Sequence, residues 1–291
     1  MEYRLADHHI IPLAYTGSKA KIAPLLARLR PWEFLEYREP FVGSGAMFNQ
    51  IRRFAPCRSY WINDIDRRVV AFHRVLRDDA DAFINRLLDI HADHGGGTQE
   101  LFDLWMGWRN SSDLMDLAIS AFLRGLIVRG SEMKCFGFAN SRVITGKAIT
   151  HSKIIRLWGF AELLQGVKIT DMDYREVMAA YGQDAFIFAD PPYEVAGEEC
   201  YDHGQFDLGE FTTAIDHCRH SCLWTLNCSA TTMAAFSRHN VIVHSMHHSA
   251  NGHAAADEII GANYTTPLFE THARDIGTLL HRISNRHNEA A

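Results

Sequence analysis

The run 185–189, AFIFA, is apolar throughout, has the length of a strand, and ends abruptly at Asp190-Pro191-Pro192-Tyr193. Two successive prolines can neither continue a sheet ladder nor enter a helix interior, so the backbone stiffens where the strand stops. In open α/β sheets, ligands lie beyond the carboxyl ends of the strands. The corner therefore fixes one carboxylate, carbonyls without competing amide protons, and one aromatic ring in a single place. That set suits a planar amine. Asp190 and the Pro191 carbonyl accept its two N–H bonds, which steers the lone pair out of plane toward an electrophile. Tyr193 stacks on a base, an interaction worth about 1–3 kcal/mol. The competing reading of these four residues is a surface turn.

The rest of the chain agrees with a sheet. Strand-like runs at 33–38, 59–63, 222–228, 240–248 and 257–265 alternate with helical periodicity at 20–30, 46–54, 68–90, 154–164, 208–220 and 230–238. Residues 101–130 are helical and aromatic-rich, and 131–153 are polar and Gly-containing, as in a loop or hairpin. Such alternation predicts an α/β fold with a mostly parallel sheet. The last two strands, joined through Ser249-Ala250-Asn251-Gly252, predict an antiparallel hairpin at one edge.

A second ligand signal follows the first strand. Glu39-Pro40-Phe41-Val42-Gly43-Ser44-Gly45 opens a helix, and glycine is the residue that lets backbone approach a ligand closely. Asp64 ends the next strand, where an acid in dinucleotide-like folds accepts bonds from ribose hydroxyls. Asp66 is a second, weaker candidate. The third glycine of the dinucleotide fingerprint is missing, which favours an adenosine carrier without a pyrophosphate. An ordinary tight turn is the alternative.

Charge is unevenly spread over the 291 residues, although the net is only −6. Residues 78–116 hold nine acids against Arg86 and Arg109, and residues 171–216 hold twelve against Arg175. Between them, residues 124–168 carry eight basic side chains, among them Arg124, Arg129, Lys134, Arg142 and Lys147, against Glu132 and Glu162. A local positive stripe is the electrostatic footprint of a phosphate-backbone partner, or else a solvated helix face. Six cysteines at irregular spacing do not form a disulfide framework, and zinc-type C-x-x-C spacing is absent from Cys218-Arg219-His220-Ser221-Cys222, so no metal is expected. No run of 18 apolar residues predicts a membrane span, and the first residues lack the apolar core of an export signal. A cytoplasmic location follows as an expectation. Trp105, Trp108 and Trp158 are expected to pack a core rather than stack on bases.

Taken together, Tyr15-Thr16-Gly17-Ser18-Lys19, the Glu39–Phe48 glycine segment and Asp190-Pro191-Pro192-Tyr193 resemble the Dam-type (D12 class) DNA adenine-N6 methyltransferases. The late strand Glu258-Ile259-Ile260-Gly261-Ala262-Asn263-Tyr264 looks like that family's closing strand. The resemblance implies a Rossmann-like class I methyltransferase fold. Its S-adenosylmethionine-binding catalytic domain would be discontinuous, 1–74 and 166–291, with a mainly helical target-recognition insert at 75–165. It implies S-adenosylmethionine as methyl donor, S-adenosylhomocysteine as product, and double-stranded DNA as partner. Donor-site positions fall on Tyr15, Lys19, Phe41, Gly43, Gly45, Asp64 and Asp190, and catalytic ones on Asp190, Pro191, Pro192 and Tyr193. Arg124, Arg129, Lys134, Arg142 and Lys147 become phosphate contacts. The insert departs from the family pattern, with Val128-Arg129-Gly130-Ser131 and Cys135-Phe136-Gly137-Phe138 in place of its usual stretch, so a GATC target is not assigned. A non-catalytic DNA-binding subunit on the same fold, or an amine methyltransferase acting on RNA or protein, remains the alternative.

Overall fold

The computed structural model describes residues 12–13, 17–95, 98–127, 149–192, 206–246 and 256–271. A short 3-10 turn, Lys19–Lys21, leads into α1 (Ala23–Arg28), then β1 (Glu36–Glu39), α2 (Ala46–Phe54), β2 (Ser59–Asn63) and α3 (Arg67–Asp78). Five further helices follow: α4 (Ala80–His94), α5 (Gln99–Trp108), α6 (Leu114–Ile127), α7 (His151–Ile155) and α8 (Leu157–Leu164). The chain then returns to the sheet through β3 (Lys168–Thr170), α9 (Tyr174–Ala179), β4 (Ala185–Ala189), α10 (Leu208–Asp216), β5 (Ser221–Asn227), α11 (Ala230–Ala235), β6 (Asn240–Met246) and β7 (Ala256–Ala262).

The seven strands run in the order β3-β2-β1-β4-β5-β7-β6. The first five are parallel, while β7 lies antiparallel between β5 and β6. This is the class I methyltransferase arrangement. Strand order reverses between β1 and β4, which pair through Tyr37 and Phe186, and at such a switch point a crevice opens beyond the strand ends. The glycine segment after β1 and Asp190 after β4 both leave the sheet there.

The wholly apolar character of β4 has a direct cause. Phe186 and Phe188 face one core, with Phe48, Phe72 and Phe160, while Ile187 and Ala189 face the other, with Phe211, Trp224, Phe236 and Ile259. A strand covered on both faces has no polar side to show. The first core continues without a break into the expected insert through Phe83, Leu87, Leu101, Trp105 and Phe122. Helix α3 is the joint, its Phe72 ring stacking on Phe122 of α6 with centroids 6.5 Å apart.

Three elements differ from expectation. The periodic run 68–90 is two helices, because Asp79 leaves the helical region (φ −147°, ψ 57°) and its side chain accepts from Ala82 N to cap α4. The expected boundary at 75 thus falls inside α3, which continues to Asp78. Strand β3 and helix α9 had no counterpart in the sequence reading, being too short to carry a period. Of the three tryptophans, Trp105 is buried and Trp108 partly so, but Trp158 is exposed, since it lies on the side of α8 away from Phe160.

Candidate active site

The glycine segment is held from three sides. Val42 N donates to Asn63 O at 2.8 Å, which extends the β1–β2 pairing past the end of β1. Gly43 and Gly45 both take positive φ, 45° and 71°. That region costs other residues about 1–2 kcal/mol. A Cβ on Gly45 would also stand 2.8 Å from the Phe160 ring and 3.3 Å from His73. Nε2 of His73 lies 3.1 Å from Gly43 O. Burial pulls the His73 pKa down to about 4, so the ring is neutral near pH 7 and Nε2 donates to that carbonyl. On the opposite side, the hydroxyls of Ser44 and Ser18 are 2.9 Å apart.

Asp64 closes the segment from below. Its Oδ2 accepts from Gly43 N at 2.9 Å and its Oδ1 from Asp66 N at 3.0 Å. Burial, reinforced by the neighbouring Asp66 charge and opposed by these amides, raises its pKa to about 7. Asp66 behaves differently. Burial pushes it up, but Arg68 bonds both its oxygens and holds it below the usual carboxylate range, with Arg124 a further 3.7 Å partner. Asp66 also caps α3 through Arg68 N. It is thus fully engaged in structure, and Asp64 is the acid left to receive a ligand.

At the tip of β4, Asp190 Oδ1 takes two donors, Lys19 Nζ at 2.8 Å and the Thr225 hydroxyl at 2.6 Å. Oδ2 receives no hydrogen bond among the described residues. Burial raises the Asp190 pKa; Lys19 and Thr225 oppose the rise and Glu258 adds to it. Lys19 Nζ also lies 3.5 Å from Glu258 Oε1, on β7. Glu39, at the end of β1, accepts from the Tyr37 hydroxyl at 2.7 Å. Burial drives its pKa well above the ordinary value, Tyr37 opposes this, and the charges of Asp190 and Asp64 add to it.

These residues fit a cationic adenosine-bearing donor. Asp64 is a carboxylate whose pKa burial has raised, and ribose hydroxyls are further donors that would favour its charged form. Glu39, Asp64, Asp190 and Glu258 gather at the switch point, and Lys19 is the ammonium paired into the group.

A family model described as D12 class N6 adenine-specific DNA methyltransferase matches residues 15–223. The chain belongs to this family. Among solved structures, a SAM-dependent O-methyltransferase from Thermotoga maritima is similar over 87% of this chain and 66% of its own, at 12% identity and a TM-score of 0.36. The chain therefore spans just under two thirds of that protein, and a likeness so loose carries no argument.

Within this D12-class chain, the switch point brings together Lys19, Phe41, Gly43, Gly45, Asp64, Asp190 and Pro191-Pro192. Phe41 packs on Tyr174, with centroids 5.0 Å apart. Tyr15 and Tyr193 lie outside the described residues, as do Arg129, Lys134, Arg142 and Lys147. Arg124 is described, and it turns toward Asp66. The sequence reading missed Thr225, Glu258 and His73. Each left a signal: a polar residue inside the apolar strand Ser221–Asn227, an acid opening an apolar closing strand, and an imidazole on the buried face of α3.

Proposed function

We propose that the protein transfers a methyl group from S-adenosylmethionine to the exocyclic N6 of adenine in double-stranded DNA. When bound, the donor supplies an electrophilic methyl carried on a sulfonium. The residues of the chain do the rest. Asp64 accepts bonds from the ribose, and the Gly43–Gly45 turn admits the donor against backbone. Asp190 Oδ2 and the Pro191 carbonyl accept the two amine N–H bonds and hold the lone pair in line for displacement. Holding reactants in line supplies several kcal/mol of barrier reduction, and hydrogen bonds that strengthen as the amine becomes cationic add to it. Asp190, its basicity raised by burial, then takes the proton that the methylated amine must lose.

The target atom is stacked inside a duplex, so the base is flipped out at a cost of a few kcal/mol. Tyr193 stacks on the flipped ring. Arg129, Lys134, Arg142 and Lys147 neutralise phosphates, which offsets the cost without carrying sequence information. The helical insert supplies target recognition, and the enzyme works in the cytoplasm on the cell's DNA.

The observation that carries this reading is Asp190 at the sheet's switch point, beside the glycine turn and with one oxygen that takes no hydrogen bond among the described residues. The test is transfer of tritiated methyl from S-adenosylmethionine to DNA, RNA and protein substrates offered separately. Label in DNA, recovered as N6-methyladenine after digestion, is the expected result. Label confined to RNA or protein would replace the substrate, and no label in any of them would favour a non-catalytic role.

A further inference from the structure

The Asp190 carboxylate is supported by three strands, of which only its own is explained by the Asp-Pro-Pro-Tyr corner. Thr225 reaches it from β5. The third support comes from β7, where Glu258 pairs in register with Asn227 of β5. Glu258 does not touch Asp190; it touches Lys19, whose Nζ stands between the two carboxylates at 2.8 Å and 3.5 Å. Lys19 and Glu258 are both almost wholly buried. The loop that carries Lys19 is in turn tied to the glycine turn by the Ser18–Ser44 contact.

Two consequences follow from that geometry. Lys19 Nζ donates to Gly17 O at 3.1 Å, and a second buried carboxylate, Glu258, adds to the contacts that fix the ammonium where Asp190 meets it. Because Lys19 and Thr225 both donate to Oδ1, a fixed Lys19 keeps Oδ2 available for the amine. The second consequence concerns charge. Glu258 adds a second carboxylate beside the Asp190–Lys19 pair. A sulfonium is cationic and the thioether left after transfer is neutral, so an added carboxylate favours the donor over the product.

We infer that Glu258 is a positioning residue for methyl transfer. It helps to anchor the Lys19 ammonium so that Asp190 presents Oδ2 to the amine, and its carboxylate favours a cationic donor over its neutral product. The inference rests on the methyl-transfer reading of the site. It concerns a residue that never touches the base.

The test compares wild type with Glu258→Gln, nearly identical in shape but uncharged, and with Glu258→Asp. Calorimetry without DNA gives the affinity for S-adenosylmethionine and for S-adenosylhomocysteine. The expected result is that the ratio of the two, donor over product, falls about fivefold in Glu258→Gln, as for loss of one charge several ångströms away in a partly screened site, and stays near wild type in Glu258→Asp, which keeps the charge. A merely structural role would weaken both ligands together and leave the ratio alone. Turnover on DNA at saturating donor is expected to fall about 10–100-fold in Glu258→Gln, with KM for DNA nearly constant. A ratio within a factor of two of wild type in folded Glu258→Gln overturns the inference, whatever happens to turnover. If that variant does not fold, the same ratio is read in Glu258→Ala, where a value within a factor of two of wild type overturns it. Should wild type bind the donor yet leave DNA adenine unmethylated, the substrate reading fails while the ratio still decides the role of Glu258.

Discussion

At Asp190 one side chain accepts a hydrogen bond and centres an ion pair, and on the proposed mechanism it also receives a proton; substitution separates these roles. Asp190→Asn keeps the shape and loses the charge. Methyl transfer should fall by about 10²–10³-fold or more, the cost of removing a preorganised electrostatic contact, while donor affinity changes by less than about tenfold. Single-turnover kinetics beside calorimetry check both, and near-normal transfer would remove Asp190 from the chemistry. Asp64 offers a second test through pH. Its pKa in the free protein, about 7, is above its ordinary value, so below pH 7 it carries a proton and loses acceptor capacity. Donor affinity should therefore weaken about tenfold from pH 8 to pH 6, and Asp64→Asn should abolish that dependence. The raised pKa acts on stability with the opposite preference. Its contribution to the free protein is fully present below the unfolded value near 4 and is lost as pH rises through 7. Asp64, Asp190 and the glycines were legible in the sequence because each stands at the end of a strand. Thr225, Glu258 and His73 stand out only as polar residues in apolar surroundings; what they pair with was not legible, because the partners lie 35, 239 and 30 residues away.

Among the elements, the glycine turn and α8 are coupled by contact. Gly45 has no room for a methyl group because Phe160 of α8 packs against it, and its φ of 71° is unfavourable for any other residue. Gly45→Ala combines two penalties, about 1–2 kcal/mol for the left-handed backbone and about 1–3 kcal/mol for overpacking. Phe160→Leu in the same chain should relieve the second and leave the first. Denaturant midpoints of the single and double variants would show the partial rescue, and full rescue would mean that the backbone at Gly45 is unstrained. Element types were readable wherever a period had room to repeat: the apolar face of α3, the two-faced core of β4, and the strands β5 to β7. Boundaries were less so. Asp79 interrupts a continuous hydrophobic pattern with a capping bond that only backbone geometry displays, and β3, three residues long, exists because β2 pairs with it. The placement of β7 between β5 and β6 also exceeds what a predicted hairpin specifies, since a hairpin fixes the neighbour of β6 but not which strand of it meets the sheet.

Across the whole molecule the problem is electrostatic. On the proposed function, a chain of net charge −6, with four carboxyl groups gathered at the switch point, would have to hold a polyanion. Acidic side chains crowd 78–116 and 171–216, so attraction has to come from the basic stretch between them. Arg124, at the start of that stretch, is committed to Asp66 and so ties α6 to the start of α3. The phosphate-binding share then falls on Arg129, Lys134, Arg142 and Lys147. Each phosphate neutralised releases condensed counterions and contributes about −0.9 to the slope of log affinity against log salt on duplex DNA. Replacing all four with Gln should therefore flatten the slope by about 3–4 and weaken binding of all duplexes alike, because phosphate contacts carry no sequence information. Arg124→Gln alone should leave the slope within about half a unit of wild type, since its guanidinium turns to Asp66 at 3.7 Å, and should lower thermal stability instead. Titrations of a fluorescent duplex at several salt concentrations measure both variants. An Arg124→Gln slope flattened by a full unit would return that side chain to the DNA interface, and an unchanged slope in the fourfold variant would move the interface away from the insert.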